Sequence, residues 1–151
     1  MSFKTFFLSL CVLVIAFNCN EAKKSFIAFT KNSTFFEAWQ DCHSFDGYLA
    51  AIESASDQSL VEEAMAKTGN PKDVYFIGGT DLGRQDRWMW IGLNKQLKDS
   101  DYQNFRTGQP DNHGGNQHCL TIGYFKAENR GKWDDDNCMK QRNGYICAFG
   151  Y

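Results

Sequence analysis

Two short segments, each rich in side-chain oxygens and each closed by a cysteine, constrain this chain more than anything else in it. One is Gln109-Pro110-Asp111-Asn112-His113-Gly114-Gly115-Asn116-Gln117-His118-Cys119, and the other is Trp133-Asp134-Asp135-Asp136-Asn137-Cys138, with the two cysteines 19 positions apart. If those cysteines bond, the oxygen-bearing segments are held side by side as a pair of loops. Closing a loop of about 20 residues this way stabilises by roughly 3 kcal/mol in the chain-entropy picture. Asp111, Asp134 and Asp135 offer carboxylates, and Gln109 and Gln117 offer neutral amide oxygens. A hard divalent cation such as calcium takes roughly six to eight oxygens of mixed charge, whereas zinc favours thiolates and imidazoles. The residue types therefore point to a disulfide-clamped calcium site. His43, His113 and His118 match no common zinc spacing.

The cysteine count depends on the start of the chain. Lys4 gives a small basic beginning and Phe6 to Phe17 is almost unbroken apolar sequence. That run is too short to span a membrane but suits the hydrophobic part of a secretory leader. Residues 1–22 are expected to be that leader, cut after Ala22, leaving 23–151 as one domain. Of the six cysteines, Cys11 and Cys19 go with the leader. Cys42, Cys119, Cys138 and Cys147 remain, an even set that reads as two disulfides with three possible pairings. No later segment is apolar enough to cross a membrane, so the expected product is secreted and extracellular. A formal net charge of −2 gives no basic field for nucleic acid or an anionic membrane.

Hydropathy patterning supplies the elements. Phe26-Ile27-Ala28-Phe29 reads as a first strand. Thr34 with Glu37 forms a capping box, followed by Phe35, Ala38, Trp39 and Cys42 at helical spacing, so a helix is expected over Thr34 to His43. Ser54 or Ser56 caps a second helix whose inner face is Leu60, Val61, Ala64 and Met65, ended by Gly69 and Pro71. Beyond it the period changes, and strands are expected at 74–78, 87–90, 120–125 and 144–149. Between Gly92 and Gln117 little regular pattern is visible, which in a compact domain usually marks function. Two helices followed by strands around a long loop give an α+β class.

In this order, these features resemble the C-type lectin-like domain over nearly all of the chain after the leader. Phe76-Ile77-Gly78-Gly79 resembles the family's core WIGL segment, Gln109-Pro110-Asp111 matches the QPD signature of galactose-type members, and Trp133-Asp134-Asp135 stands in for Trp-Asn-Asp. The literal Trp90-Ile91-Gly92-Leu93 lies too close to Gln109 to be the core segment. The resemblance implies two helices packed on small antiparallel sheets, a long calcium-binding loop region, and the short-form bridges Cys42–Cys147 and Cys119–Cys138. It implies Gln109, Asp111, Gln117, Asp134 and Asp135 as calcium ligands that also contact sugar, and a cis bond before Pro110. In the family, two adjacent sugar hydroxyls meet the calcium while the same side chains hydrogen-bond them. The Gln…Asp order goes with an axial 4-hydroxyl, as in galactose and N-acetylgalactosamine. The composition also resembles small secreted insect lectins that recognise microbial or self glycans.

Four positions depart from the family pattern. Gln117 stands where an acid is usual, and Asp134 where Asn is usual, so Asp134 can donate no hydrogen bond unless protonated. His113 occupies the place of a sugar-stacking Trp in strong galactose binders and is carried as a candidate carbohydrate contact. Asn112 and His118 replace acids of an auxiliary calcium site, so that second site is expected to be missing.

Blander readings compete at each point. Asp134-Asp135-Asp136 by itself is a solvated acidic loop, and Asp136 is expected to face solvent. Trp39, Trp88 and Trp90 are expected in the core, and Trp133 as an anchor for the site. Asn32-Ser33-Thr34 is a glycosylation sequon at Asn32. No nucleophile–base pair is evident, so the chain is expected not to be an enzyme. The leading expectation is a calcium-dependent, galactose-type lectin, weak at a single site and therefore reliant on homo-oligomers or clustered glycans. The alternative is a lectin-fold protein that binds a protein partner without calcium-dependent sugar recognition.

Overall fold

The computed structural model describes residues 23–70, 72–123 and 127–150. The expected leader, Pro71 and the Tyr124-Phe125 end of one expected strand fall outside them. The chain starts with strand β1 (Ser25–Phe29) and helix α1 (Phe35–Ser44). Thr34 caps α1 as the sequence implies: its hydroxyl oxygen accepts from Glu37 N, while Glu37 Oε2 accepts from Thr34 N at 2.7 Å. Strand β2 (Tyr48–Leu49) leads to helix α2 (Ala55–Lys67), capped by Ser54 rather than Ser56, and α2 gives way at Thr68 and Gly69.

The inner face of α2 is not the expected apolar stripe. Val61 and Ala64 are buried, but so are Asp57 and Gln58, while Leu60 and Met65 are only half-buried. The polar pair is held by tertiary partners. Asp57 Oδ2 meets Lys24 Nζ at 2.7 Å, and Gln58 reaches across to the far end of the chain.

After α2 come β3 (Val74–Thr80), β4 (Met89–Trp90), β5 (Lys95–Gln96), β6 (Cys119–Gly123), β7 (Lys132–Asp136) and β8 (Gly144–Phe149). These join β1 and β2 in one branched sheet, antiparallel except where β3 runs parallel to β8. Strand β3 is buried along its whole length. Its Gly78-Gly79 pair allows two close approaches: an added Cβ would lie 2.4 Å from Leu49 O at Gly78 and 2.3 Å from Leu120 Cδ1 at Gly79. Those glycines let β2 and β6 press onto β3.

Both expected disulfides are present. Cys42–Cys147 ties α1 to β8, and Cys119–Cys138 ties the start of β6 to the residues after β7. Two core clusters result. Phe35, Leu49, Phe76 and Tyr145 gather around the cystines, and Ile77, Trp88, Trp90, Leu120, Ile122 and Trp133 fill the other side. Trp39 is only half-buried, at the rim of the first cluster. No described helix is long and apolar enough to cross a membrane.

The second oxygen-rich segment is not a loop. It is strand β7, paired with β6 from Cys119↔Asp136 to Gly123↔Lys132. Carboxylates on a buried strand are tolerable only when paired or hydrogen-bonded, and each of the three acids here has its own partner.

Candidate functional site

Trp133 is the floor of the site. It is 0% exposed, with the rings of Trp90, Phe105 and Tyr102 set edgewise against it at centroid distances of 5.5, 5.4 and 5.9 Å. Each such aromatic pair contributes about 0.5–1.5 kcal/mol beyond area burial. Its indole Nε1 donates to Gln58 Oε1 at 3.0 Å, and Gln58 Nε2 donates on to Gly131 O at 2.8 Å. The anchoring role expected of Trp133 is what the packing shows.

The long loop is laid against this floor by its backbone. Trp133 N donates to Asn104 O and Arg106 N to Trp133 O, both at 2.9 Å, with a parallel bridge between Phe105 and Trp133. Gln109 N then donates to Arg106 O at 3.0 Å, closing the turn that enters a cis Gln109–Pro110 bond.

Past the proline the loop folds on itself. Gln117 N donates to Asn112 Oδ1 at 2.9 Å, and His113 N donates to Gln117 Oε1 at 2.8 Å and to Asp111 Oδ1 at 3.1 Å. Asp135, 2% exposed, clamps the loop from below: Oδ1 accepts Asp111 N at 3.1 Å and Oδ2 accepts Asn112 N at 2.7 Å. Each of those oxygens keeps a further lone pair. Asp111, Gln117 and Asp135 thus belong to one hydrogen-bonded network.

Asp134, next to Asp135 on β7, makes none of these loop contacts. Its Oδ2 is ion-paired with Arg106 Nη2. Burial pushes its carboxyl above the usual carboxylate range; the Arg106 guanidinium pulls it back, and the charges of Asp135 and Asp136 push it up further.

Asp136, expected in solvent, is 4% exposed. It is ion-paired with Arg142 and accepts Asn137 N at 2.8 Å. The correction has a simple cause: strand pairing carries Asp136 inward, and Arg142 neutralises it there.

Gln109 is the remaining candidate. Its Oε1 is buried and has no hydrogen-bond partner. His113 is exposed at the loop surface. His118 Nδ1 lies 2.9 Å from Asp81 Oδ1, and His43 packs edgewise on Trp39, so the three histidines sit in separate surroundings. Among the described residues no three His, Cys, Asp or Glu side chains gather at metal-holding spacing.

The donors are nonetheless of the right chemistry for a hard cation. All are oxygens, two are amides, and one amide oxygen is orphaned. Asp134 is the member engaged elsewhere. Sequence reasoning missed Arg106, Arg142, Gln58 and Asp81. None carries a local signal, because each matters only through a partner distant in the chain.

Residues 31–149 match the lectin C-type domain. The chain belongs to the C-type lectin family. Perlucin of Haliotis laevigata is 31% identical over 118 residues, covering 78% of this chain and 71% of perlucin. A perlucin-like protein of Mytilus galloprovincialis is 30% identical over 111 residues, covering 74% and 67% respectively. Among solved structures, the carbohydrate-recognition domain of the human scavenger receptor C-type lectin superposes with a TM-score of 0.69 at 26% identity, covering 85% of this chain and 92% of that domain. This C-type lectin is accordingly a carbohydrate-binding module by family, and the family is not an enzymatic one.

Proposed function

We propose that this C-type lectin is a secreted, calcium-dependent binder of terminal galactose or N-acetylgalactosamine, with Gln109, Asp111, Gln117, Asp134 and Asp135 as the metal- and sugar-contacting set. The observation that carries the reading is Gln109 Oε1, a buried acceptor without a partner. Leaving such a group unpaired costs about 1–3 kcal/mol, and a hard cation is a partner suited to it. It stands at the first position of Gln109-Pro110-Asp111, with the cis peptide bond between the first two.

Calcium held by these five residues would supply a Lewis-acid contact for two neighbouring sugar hydroxyls. The chain's own groups set direction and selectivity. Gln109 brings an amide that can donate through Nε2, and Asp111 brings a carboxylate that only accepts. That order of donor and acceptor favours an axial 4-hydroxyl. Asp135 fixes the loop by holding the Asp111 and Asn112 amides, and Gln117 fixes its far end through His113 N. Asp134, where the family usually has Asn, accepts from a hydroxyl but cannot donate while ionised. Exposed His113 offers a face for the apolar side of a sugar ring.

Secretion is supported by the apolar run Phe6 to Phe17 and by two disulfides, which persist in oxidising compartments. Asn32 is exposed just before Thr34, the α1 cap, and is open to glycosylation. Recognition of microbial or self surfaces through clustered galactose fits a weak single site multiplied by avidity.

The test is retention on immobilised galactose with calcium and release by EDTA. Retention that persists in EDTA would overturn the mechanism. A glycan array run with and without calcium would then separate galactose from other sugars.

A further inference from the structure

Asp134 and Arg106 are brought together by two rigid backbones. Asp134 is fixed by the β6–β7 ladder, opposite Thr121. Arg106 is fixed on both sides, its N–H on Trp133 O and its carbonyl under Gln109 N. Only the arginine side chain is left to move, and it is 31% exposed against 12% for Asp134. The acid is therefore inside and the base has solvent beside it.

Burial weighs most against the charge on Asp134, and the like charges of Asp135 and Asp136 on the same strand add to it. Asp136 has its own cation in Arg142, whose Nη2 and Nε both meet Oδ2. Asp135 has two backbone amides. Asp134 has the guanidinium of Arg106. A divalent ion that draws on Asp134 has to share this carboxylate with a positive charge already seated on it, or replace that charge.

We infer that Arg106 is a tethered counter-ion of the site: it holds Asp134 when no divalent cation is bound, is displaced from it by calcium, and so sets calcium affinity lower than the oxygen set alone would give. The inference rests on the calcium reading above and deepens it by naming the residue that tunes the site. The Arg106 side chain is partly exposed, so the exchange is proposed as a movement of that side chain with the backbone held. Arg106 is a positioning residue here, since it acts on the metal only through Asp134.

Calcium alone, without sugar, is the probe. Titration calorimetry and calcium-dependent thermal shift are compared for the full chain, Arg106→Gln and Arg106→Lys. Removing a partly exposed ion pair is worth about a fivefold change in an equilibrium constant. Arg106→Gln is expected to bind calcium about fivefold tighter, to melt lower in EDTA, and to gain more from saturating calcium than the native chain does. Arg106→Lys, which keeps the charge but loses the fork, is expected between the two.

A native chain that takes calcium, with an unchanged or weaker affinity in Arg106→Gln, overturns the counter-ion role and leaves the calcium reading standing. No calcium uptake by either protein overturns both. Uptake by Arg106→Gln alone overturns both the displacement by calcium and the calcium reading of the native chain. Should Arg106→Gln fail to fold, the native protein still decides. The Arg106 guanidinium nitrogen resonance is expected to shift with the same midpoint as calcium binding, and a resonance that stays fixed through saturation overturns the displacement.

Discussion

Asp134 and Asp136 lie two residues apart on one strand, on one face, and each meets an arginine, yet the two pairs do different work. Asp136 sits at the clamped base of the fold, just before Cys138, with a side chain 6% exposed against 22% for Arg142. Arg142 is itself locked by backbone bonds to Ser33 in both directions, at 3.2 and 3.0 Å. Asp134 lies at the edge of the long loop, and its arginine keeps more contact with solvent. The same chemistry is therefore structural at the end of β7 and, on the counter-ion reading, exchangeable at its middle. Geometry around the base, not the acid, makes the difference.

The largest effect is expected at the structural pair. Asp136→Asn leaves Arg142 without its buried partner and is expected to cost about 3 kcal/mol in urea unfolding, equally with and without calcium. A loss that calcium rescues would erase the distinction between the two pairs. Next comes the floor beneath both. Gln58→Leu leaves Trp133 Nε1 unpaired and Gly131 O with Asn104 Nδ2 as its remaining donor, and is expected to cost about 2 kcal/mol, with calcium affinity falling as the long loop loosens. An unchanged calcium affinity would show that the loop is held without Trp133.

Asp134→Asn should be mild for folding, at about 1 kcal/mol or less, because the pair is partly exposed. Its consequence is expected in sugar preference, since Asn can donate where Asp cannot. A glycan profile identical to that of the native chain would show that position 134 does not face the sugar.

The smallest effect is in pH. The Asp134 carboxyl is raised, chiefly by burial, so between its ordinary value and the raised one the folded state holds a proton that the unfolded chain does not. Over that window this group makes folding more favourable as pH falls, while calcium binding weakens because the proton competes for the same oxygens. Melting temperature without calcium and calcium affinity should therefore move in opposite directions, and parallel movement would place the titrating group elsewhere.

Much of the fold is legible in short-range pattern. The Thr34–Glu37 box places α1, and the strands at 74–78 and 144–149 stand out by their apolar runs. The site was half legible. Gln109-Pro110-Asp111 and the closing cysteines mark where the oxygens are, but β7 reads as a loop in sequence because acids are poor strand formers in isolation. Its three aspartates become strand residues only when Arg106, Arg142 and the amides of Asp111 and Asn112 arrive from elsewhere.

The sequence by itself determined where the side-chain oxygens stand, the positions of the four cysteines beyond residue 22 and the amide–acid order of Gln109 and Asp111, because these are properties of residue type and spacing. Only the tertiary structure decided that Asp136 is buried, that Gln109 Oε1 is left without a partner and that Asp134 is already held by a cation. Those outcomes depend on charges and amides far apart in the chain, and a buried carboxylate takes its character from whatever the fold sets beside it.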